Sequence, residues 1–276
     1  MRCNLAIGGA CSAMLAMVVC SGCGQTPATP ATVSQSTESP VEKPHRDAPG
    51  ELPQVESQDV AASRSPAESA FAKLRSATED GNPDAWQQAE QELTGLGESA
   101  VSTLAARLSD ADQLSRELAI QFLAQLGPAA QPAVAELTDA LKDDSAIVRV
   151  NAAATLLLIE PESTSARDVL KELLTAGDDH VRLTAAISLA GSEASSKESI
   201  QVLTELLQAA EPTVRLTAVE TLGRLGQRAE ASLPAIERLA DDDSPEVRTA
   251  AATAQRRIES GDAESPETVP TSGTAP

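Results

Sequence analysis

A Val-Arg dipeptide recurs at Val148-Arg149, Val181-Arg182, Val214-Arg215 and Val247-Arg248, each 33 residues after the last. One step back in the same phase lies Arg116, preceded by Ser115. Other columns keep the phase. Three residues after each Arg stands Ala, at Ala119, Ala152, Ala185, Ala218 and Ala251. Seven after it stand Leu123, Leu156, Leu189 and Leu222; twenty-one after it, Leu137, Leu170, Leu203 and Ile236; twenty-four after it, Ala140, Leu173, Leu206 and Leu239. A fixed period of this size means a stack of like units, each one supersecondary motif long.

Within a unit the apolar spacing is helical. Val148, Ala152, Leu156 and Ile159 share one face, and Leu170, Leu173 and Leu174 share another. Asp112, Ser145, Asp178 and Ser244 stand four before the Arg, where an N-cap side chain accepts from unpaired N–H groups. Pro212 and Pro245 follow, where a missing N–H costs nothing. Gly127-Pro128, Pro161 and Gly191 break the chain between halves, so each unit reads as helix, turn, helix, turn. Two more helices precede the array. Ser65-Pro66-Ala67-Glu68 is a capping box, and Asn82-Pro83 opens a helix carrying Trp86, Ala89 and Leu93. Matching Leu96-Gly97 to Leu126-Gly127 makes that first unit three residues shorter and puts Trp86 in the Arg column. Gln255 and Arg256 place polar residues in apolar or small columns, which predicts a C-terminal cap.

The helical pair with Val-Arg, Ala three on and Leu seven on resembles the HEAT-repeat superfamily, most of all its short bacterial, phycobilisome-lyase-like branch. The resemblance covers about Pro83 to Ile258. It implies an all-α fold, an α-α superhelix, over residues 66–258. A small unit cannot bury its own apolar face, so stability should grow with repeat number. The small Ala column lets helices approach closely in a chain that is 1% aromatic.

The N-terminus reads as an address. Arg2 precedes an uncharged apolar run from Leu5 to Val19, too short for the roughly 20 residues of a bilayer span. Cys20-Ser21-Gly22-Cys23 resembles a bacterial lipobox, which implies a signal peptide over 1–22 and fatty acylation (palmitate-type) of Cys23. Cys20 stands where that motif carries an aliphatic residue, so ordinary secretory cleavage is the alternative. Cys3, Cys11 and Cys20 fall within the signal, leaving Cys23 the mature chain's one cysteine. Residues 23–65 are rich in Pro, Thr, Ser and Glu, and residues 259–276 match them, so both read as disordered. The localisation that follows is a bacterial cell envelope, lipid-anchored to a membrane on its periplasmic or outer surface.

Charge narrows the function. The chain has 21 basic and 41 acidic residues, net −20, which argues against nucleic acid. Over 66–258 the counts are 17 and 31, a net of −14, which suits a partner protein with a basic surface. His45 and His180 are the two histidines, too few for a multi-His metal site. Arg116, Arg149, Arg182, Arg215 and Arg248 read as a structural ladder, each guanidinium spanning to carboxylates or loop carbonyls of an adjoining unit, with Asp112, Asp144, Asp178, Asp179 and Asp243 as candidate partners. A basic ladder for an acidic ligand is the other reading. His180 beside Asp178 and Asp179 reads as an exposed turn residue, and Asp241-Asp242-Asp243 as a solvated cap without the spacing of a calcium loop. Trp86 and Phe122 read as core fillers. No catalytic, metal or cofactor residues are expected. The function that follows is a membrane-tethered protein-binding scaffold or adapter without catalysis. The alternatives are a lyase-like enzyme acting on a tetrapyrrole, as relatives in the resembled branch do, and a passive envelope spacer.

Overall fold

A computed structural model describes residues 64–191 and 196–261. Cys23, the signal-like segment, the linker through 63 and residues 262–276 lie outside them. Twelve α-helices occupy the described residues, and no strand is among them. They are α1 Pro66–Glu79, α2 Pro83–Gly95, α3 Val101–Arg107, α4 Gln113–Leu126, α5 Val134–Ala140 and α6 Ala146–Ile159. Next come α7 Thr164–Leu173, α8 Asp179–Ala190, α9 Ser196–Leu206, α10 Pro212–Leu225, α11 Leu233–Glu237 and α12 Pro245–Ser260. The helices α4, α6, α8, α10 and α12 begin 33 residues apart. Each is the first helix of a unit, and the result is an α-α solenoid. Among the described residues no helix is long and apolar enough to cross a membrane.

Local chemistry sets the starts. Glu68 N–H donates to Ser65 Oγ at 3.1 Å, and Ser65 N–H donates to Glu68 Oε2 at 2.8 Å, which closes the capping box of α1. Asp112, Asp178 and Ser244 accept from the N–H groups of Ser115, Val181 and Val247. Ser145 sits at the N-cap of α6 but its side chain makes no cap bond. Its own N–H donates to Asp143 Oδ1 at 2.9 Å.

The second halves are less regular than helix, turn, helix, turn. Before α3, α5 and α11 the chain runs through 3-10 turns, at Gly97–Ala100, Gly127–Ala133 and Gly226–Ser232. Gly127 and Gly226 open two of them at φ 53° and 56°, which a side chain would strain. Pro132 within the one and Pro234 at the start of α11 remove N–H donors that a continuous α-helix would use. α6 ends at Glu160-Pro161 and passes to α7 without such a turn, so the second halves of the units are not all built alike.

One continuous apolar core runs from Ala67 to Ile258. Ala119, Ala152, Ala185 and Ala218 are wholly buried, as are Leu123, Leu189 and Leu222. Phe122 is buried among them, whereas Trp86 is half-buried and packs on the core's edge. The tightest approach joins α10 to α12. A Cβ on Gly223 would lie 2.9 Å from Ala254 Cα, backbone that cannot swing away. α12 runs two residues past Ile258, to Ser260, before Gly261 turns left-handed at φ 73°.

Gly223→Leu should therefore destabilise the chain by about 1–3 kcal/mol through overpacking, measured by urea denaturation. A variant as stable as the parent would show that α12 shifts freely on α10.

Candidate functional site: an arginine edge along the turns

The five ladder arginines stand one turn inside α4, α6, α8, α10 and α12. Four of them use Nη1 in one way. Arg116 donates to the carbonyls of Asp110 (2.9 Å) and Ala111 (3.2 Å), and Arg149 to those of Asp143 (2.7 Å) and Asp144 (3.1 Å). Arg215 donates to Ala209 (2.8 Å) and Ala210 (3.0 Å), and Arg248 to Asp242 (2.5 Å) and Asp243 (3.1 Å). These carbonyls follow the preceding unit's second helix. Carbonyls of a turn have no helical N–H to meet them, so a guanidinium there supplies the donors that the turn lacks. Arg182 departs: its Nε donates to the Leu174 carbonyl at 3.2 Å, across a turn in which Gly177 takes φ 97°.

The remaining guanidinium donors seek carboxylates. Arg215 grips Asp242 with two bonds, Nε to Oδ2 and Nη2 to Oδ1, each 2.8 Å. Arg116 Nη2 donates to Asp143 Oδ1 at 3.0 Å, and Asp143 Oδ2 stands 2.7 Å from its Nε. Each Asp lies 27 residues after its Arg, in the turn that opens the next unit. Each also accepts an N–H of that turn, from Ser145 or Ser244, at 2.9 Å. The Arg thus ties the turn behind it to the turn ahead. Arg182 instead meets Glu205 at 2.6 Å, with Asp179 at 3.4 Å.

Loop carbonyls are partners as expected, while most of the carboxylates come from other residues. Of Asp112, Asp144, Asp178, Asp179 and Asp243, Asp179 offers a carboxylate to the ladder. Asp144 and Asp243 contribute main-chain carbonyls, and Asp112 and Asp178 cap helices. The expectation searched the turn before each Arg, but the side chain reaches forward as well. A signal was present: the column 110, 143, 176, 209, 242 reads Asp, Asp, Ala, Ala, Asp.

His180 is half-buried, not exposed. Its Nε2 lies 2.8 Å from Glu211 Oε2, an acid at the N-cap of α10 in the next unit. Glu211 caps nothing with its side chain. Of the acidic run at 241–243, Asp242 is taken up by Arg215 and Ser244, and Ser244 Oγ donates to Glu246 at 2.6 Å. Among the described residues no group of three or more His, Cys, Asp or Glu could hold a metal ion.

Asp242 and Glu117 are shifted in opposite directions. The Arg215 hydrogen bond holds Asp242 below the usual carboxylate range, against the cost of burial. Burial pushes Glu117 up, although Gln113 donates to it and Arg116 is near. Glu117 occupies a column that is Val150, Leu183 and Leu216 in the next units, which accounts for the burial.

A family model for HEAT repeats matches residues 134–212 and 166–256, from α5 into α12. No curated protein matches the chain in sequence. Similar solved structures include an engineered protein from the Northeast Structural Genomics Consortium. It is 21% identical, with 72% of this chain and 98% of that one covered and a TM-score of 0.45. A designed armadillo repeat protein is 20% identical, with 69% and 98% covered and a TM-score of 0.46.

Because its folded pKa is depressed, Asp242 stabilises above the ordinary Asp value near ~4, and the contribution fades as pH falls through the lower, folded value. Asp242→Asn should cost on the order of 1–2 kcal/mol at pH 7 and progressively less as the parent's carboxyl becomes protonated. Thermal melts of both proteins from pH 7 to about 2 check this. A pH-independent gap would mean that the bond to Arg215 carries no charge.

Proposed function

We propose that this HEAT-like repeat protein is a protein-binding scaffold of a bacterial cell envelope, held to a membrane by a lipid on Cys23 and working by binding without catalysis. The observation that supports it is the uninterrupted core from Ala67 to Ile258, built of like units whose outer residues vary while the packing columns stay. Such a stack exposes a long surface on which residues can change without cost to the fold. The match to HEAT repeats points the same way, since repeats of this kind commonly bind other proteins. The most distinctive polar groups of the edge, Asp143, Asp242 and Glu205, are occupied by Arg116, Arg215 and Arg182. That spends them on holding units, and the helix pair of one unit, together and leaves recognition to the remaining, largely acidic surface. Its partner is a protein with a basic face.

The tether rests on the sequence around Cys23 and the Pro- and Ser-rich linker behind it. Two or more acyl chains give stable anchoring, each buried CH₂ contributing about 0.8 kcal/mol. The linker then supplies reach between anchor and solenoid.

The mature chain, immobilised and exposed to envelope extract, should retain one partner at fixed stoichiometry. Raising salt from about 0.05 to about 0.5 M should release it, because exposed charges are screened over that range. Failure to retain any stoichiometric partner at either salt would favour the spacer. Growth with a radioactive fatty acid should label the wild type and leave Cys23→Ser unlabelled; equal labelling would remove the anchor from Cys23.

A further inference from the structure

The ladder has one internal rung that is not filled. Arg116, Arg182 and Arg215 each hold a carboxylate: Asp143, Glu205 and Asp242. Arg149 holds two carbonyls through Nη1 and, among the described residues, no carboxylate. The reason is in the sequence. The residue 27 after it is Ala176, where the equivalent positions for Arg116 and Arg215 are Asp. Ala176 is exposed and is followed by exposed Gly177, so small residues border this place on the edge. Arg149 itself is half-buried and its Nη1 is anchored on two carbonyls, so the guanidinium is already oriented.

We propose that Arg149 is a carboxylate-binding site. Its Nε and Nη2 take one carboxylate from outside the solenoid, in the two-pronged geometry that Asp242 gives Arg215 within it. The sibling rungs supply the argument, because the same side chain on the same scaffold accepts a carboxylate where the chain provides one. A planar guanidinium held in place offers two parallel donors, which matches a carboxylate better than any other common side chain. Exposed Asp144 and Asp178 lie on the same edge, and the solenoid is acidic. The ligand this site fits is therefore a lone carboxylate within a basic surface, an Asp, a Glu or a chain end of the docked protein. This deepens the scaffold reading and rests on it for the source of the carboxylate.

Acetate tests the site without any partner. In the mature chain, Arg Nε–Hε resonances are followed by ¹⁵N NMR during titration with sodium acetate, against sodium chloride at equal ionic strength. Arg149 should shift saturably with acetate and not with chloride, while Arg116 and Arg215 stay still because their rungs are filled. Arg248, exposed at the end of the stack and without an acidic partner among the described residues, reports what an unshaped guanidinium does. Ala176→Asp should abolish the Arg149 response. A silent Arg149, a response no larger than that of Arg248, or a response that survives Ala176→Asp each overturns the proposal. Should acetate bind as expected while no protein partner is retained, the site stands and the scaffold reading falls.

Discussion

An apolar face that only a neighbouring unit can cover is the constraint behind this molecule. Each pair of helices turns Leu columns toward its own partner and a small column toward the next pair. Ala119, Ala152, Ala185 and Ala218 are wholly buried, and the first helices of successive units lie against one another. The same demand for close approach reaches its limit at Gly223 and Ala254, where even a methyl group has no room. A core made this way needs few aromatics. Phe122 sits within it, while Trp86, at the array's thin beginning, is only half covered.

Stacking leaves a recurrent electrostatic problem at every turn, and the arginine edge answers it. Each second helix ends on carbonyls with no partner inside the helix. Four arginines reach back with Nη1 to collect two carbonyls each from the turn just past that helix. Where the next turn carries an Asp, the same guanidinium reaches forward and clamps the following unit. Where Ala209 stands ahead of it, Arg182 turns to Glu205 on α9 of its own unit, and His180 meets Glu211 between α8 and α10. The repeat is thus regular in its core and individual along its edge. Function on such a scaffold follows from the individual positions, since the regular ones are committed to packing.

Much was legible before any coordinates. The period of 33, the helical faces, the capping box at Ser65 and the buried columns all follow from local rules: 3.6 residues per turn, and side-chain oxygens that satisfy unpaired N–H groups. Two things were less legible. Ser145 stands in a column of caps yet its side chain caps nothing, although its N–H meets Asp143 just as that of the capping Ser244 meets Asp242. The carboxylates of the ladder come from Asp143 and Asp242, 27 residues ahead, and not from the acids beside each Arg.

What the amino-acid sequence determined by itself was the unit and its repetition, since both arise from contacts between residues three, four and seven apart and from a pattern that returns. Tertiary structure decided which acid each arginine holds and which arginine holds none. An arginine side chain spans the gap between two successive turns, and whether it finds an acid there depends on the register with which one unit settles on the next. That register is set by the packing of buried Ala and Leu columns many residues away, so no local reading of the turn could supply it.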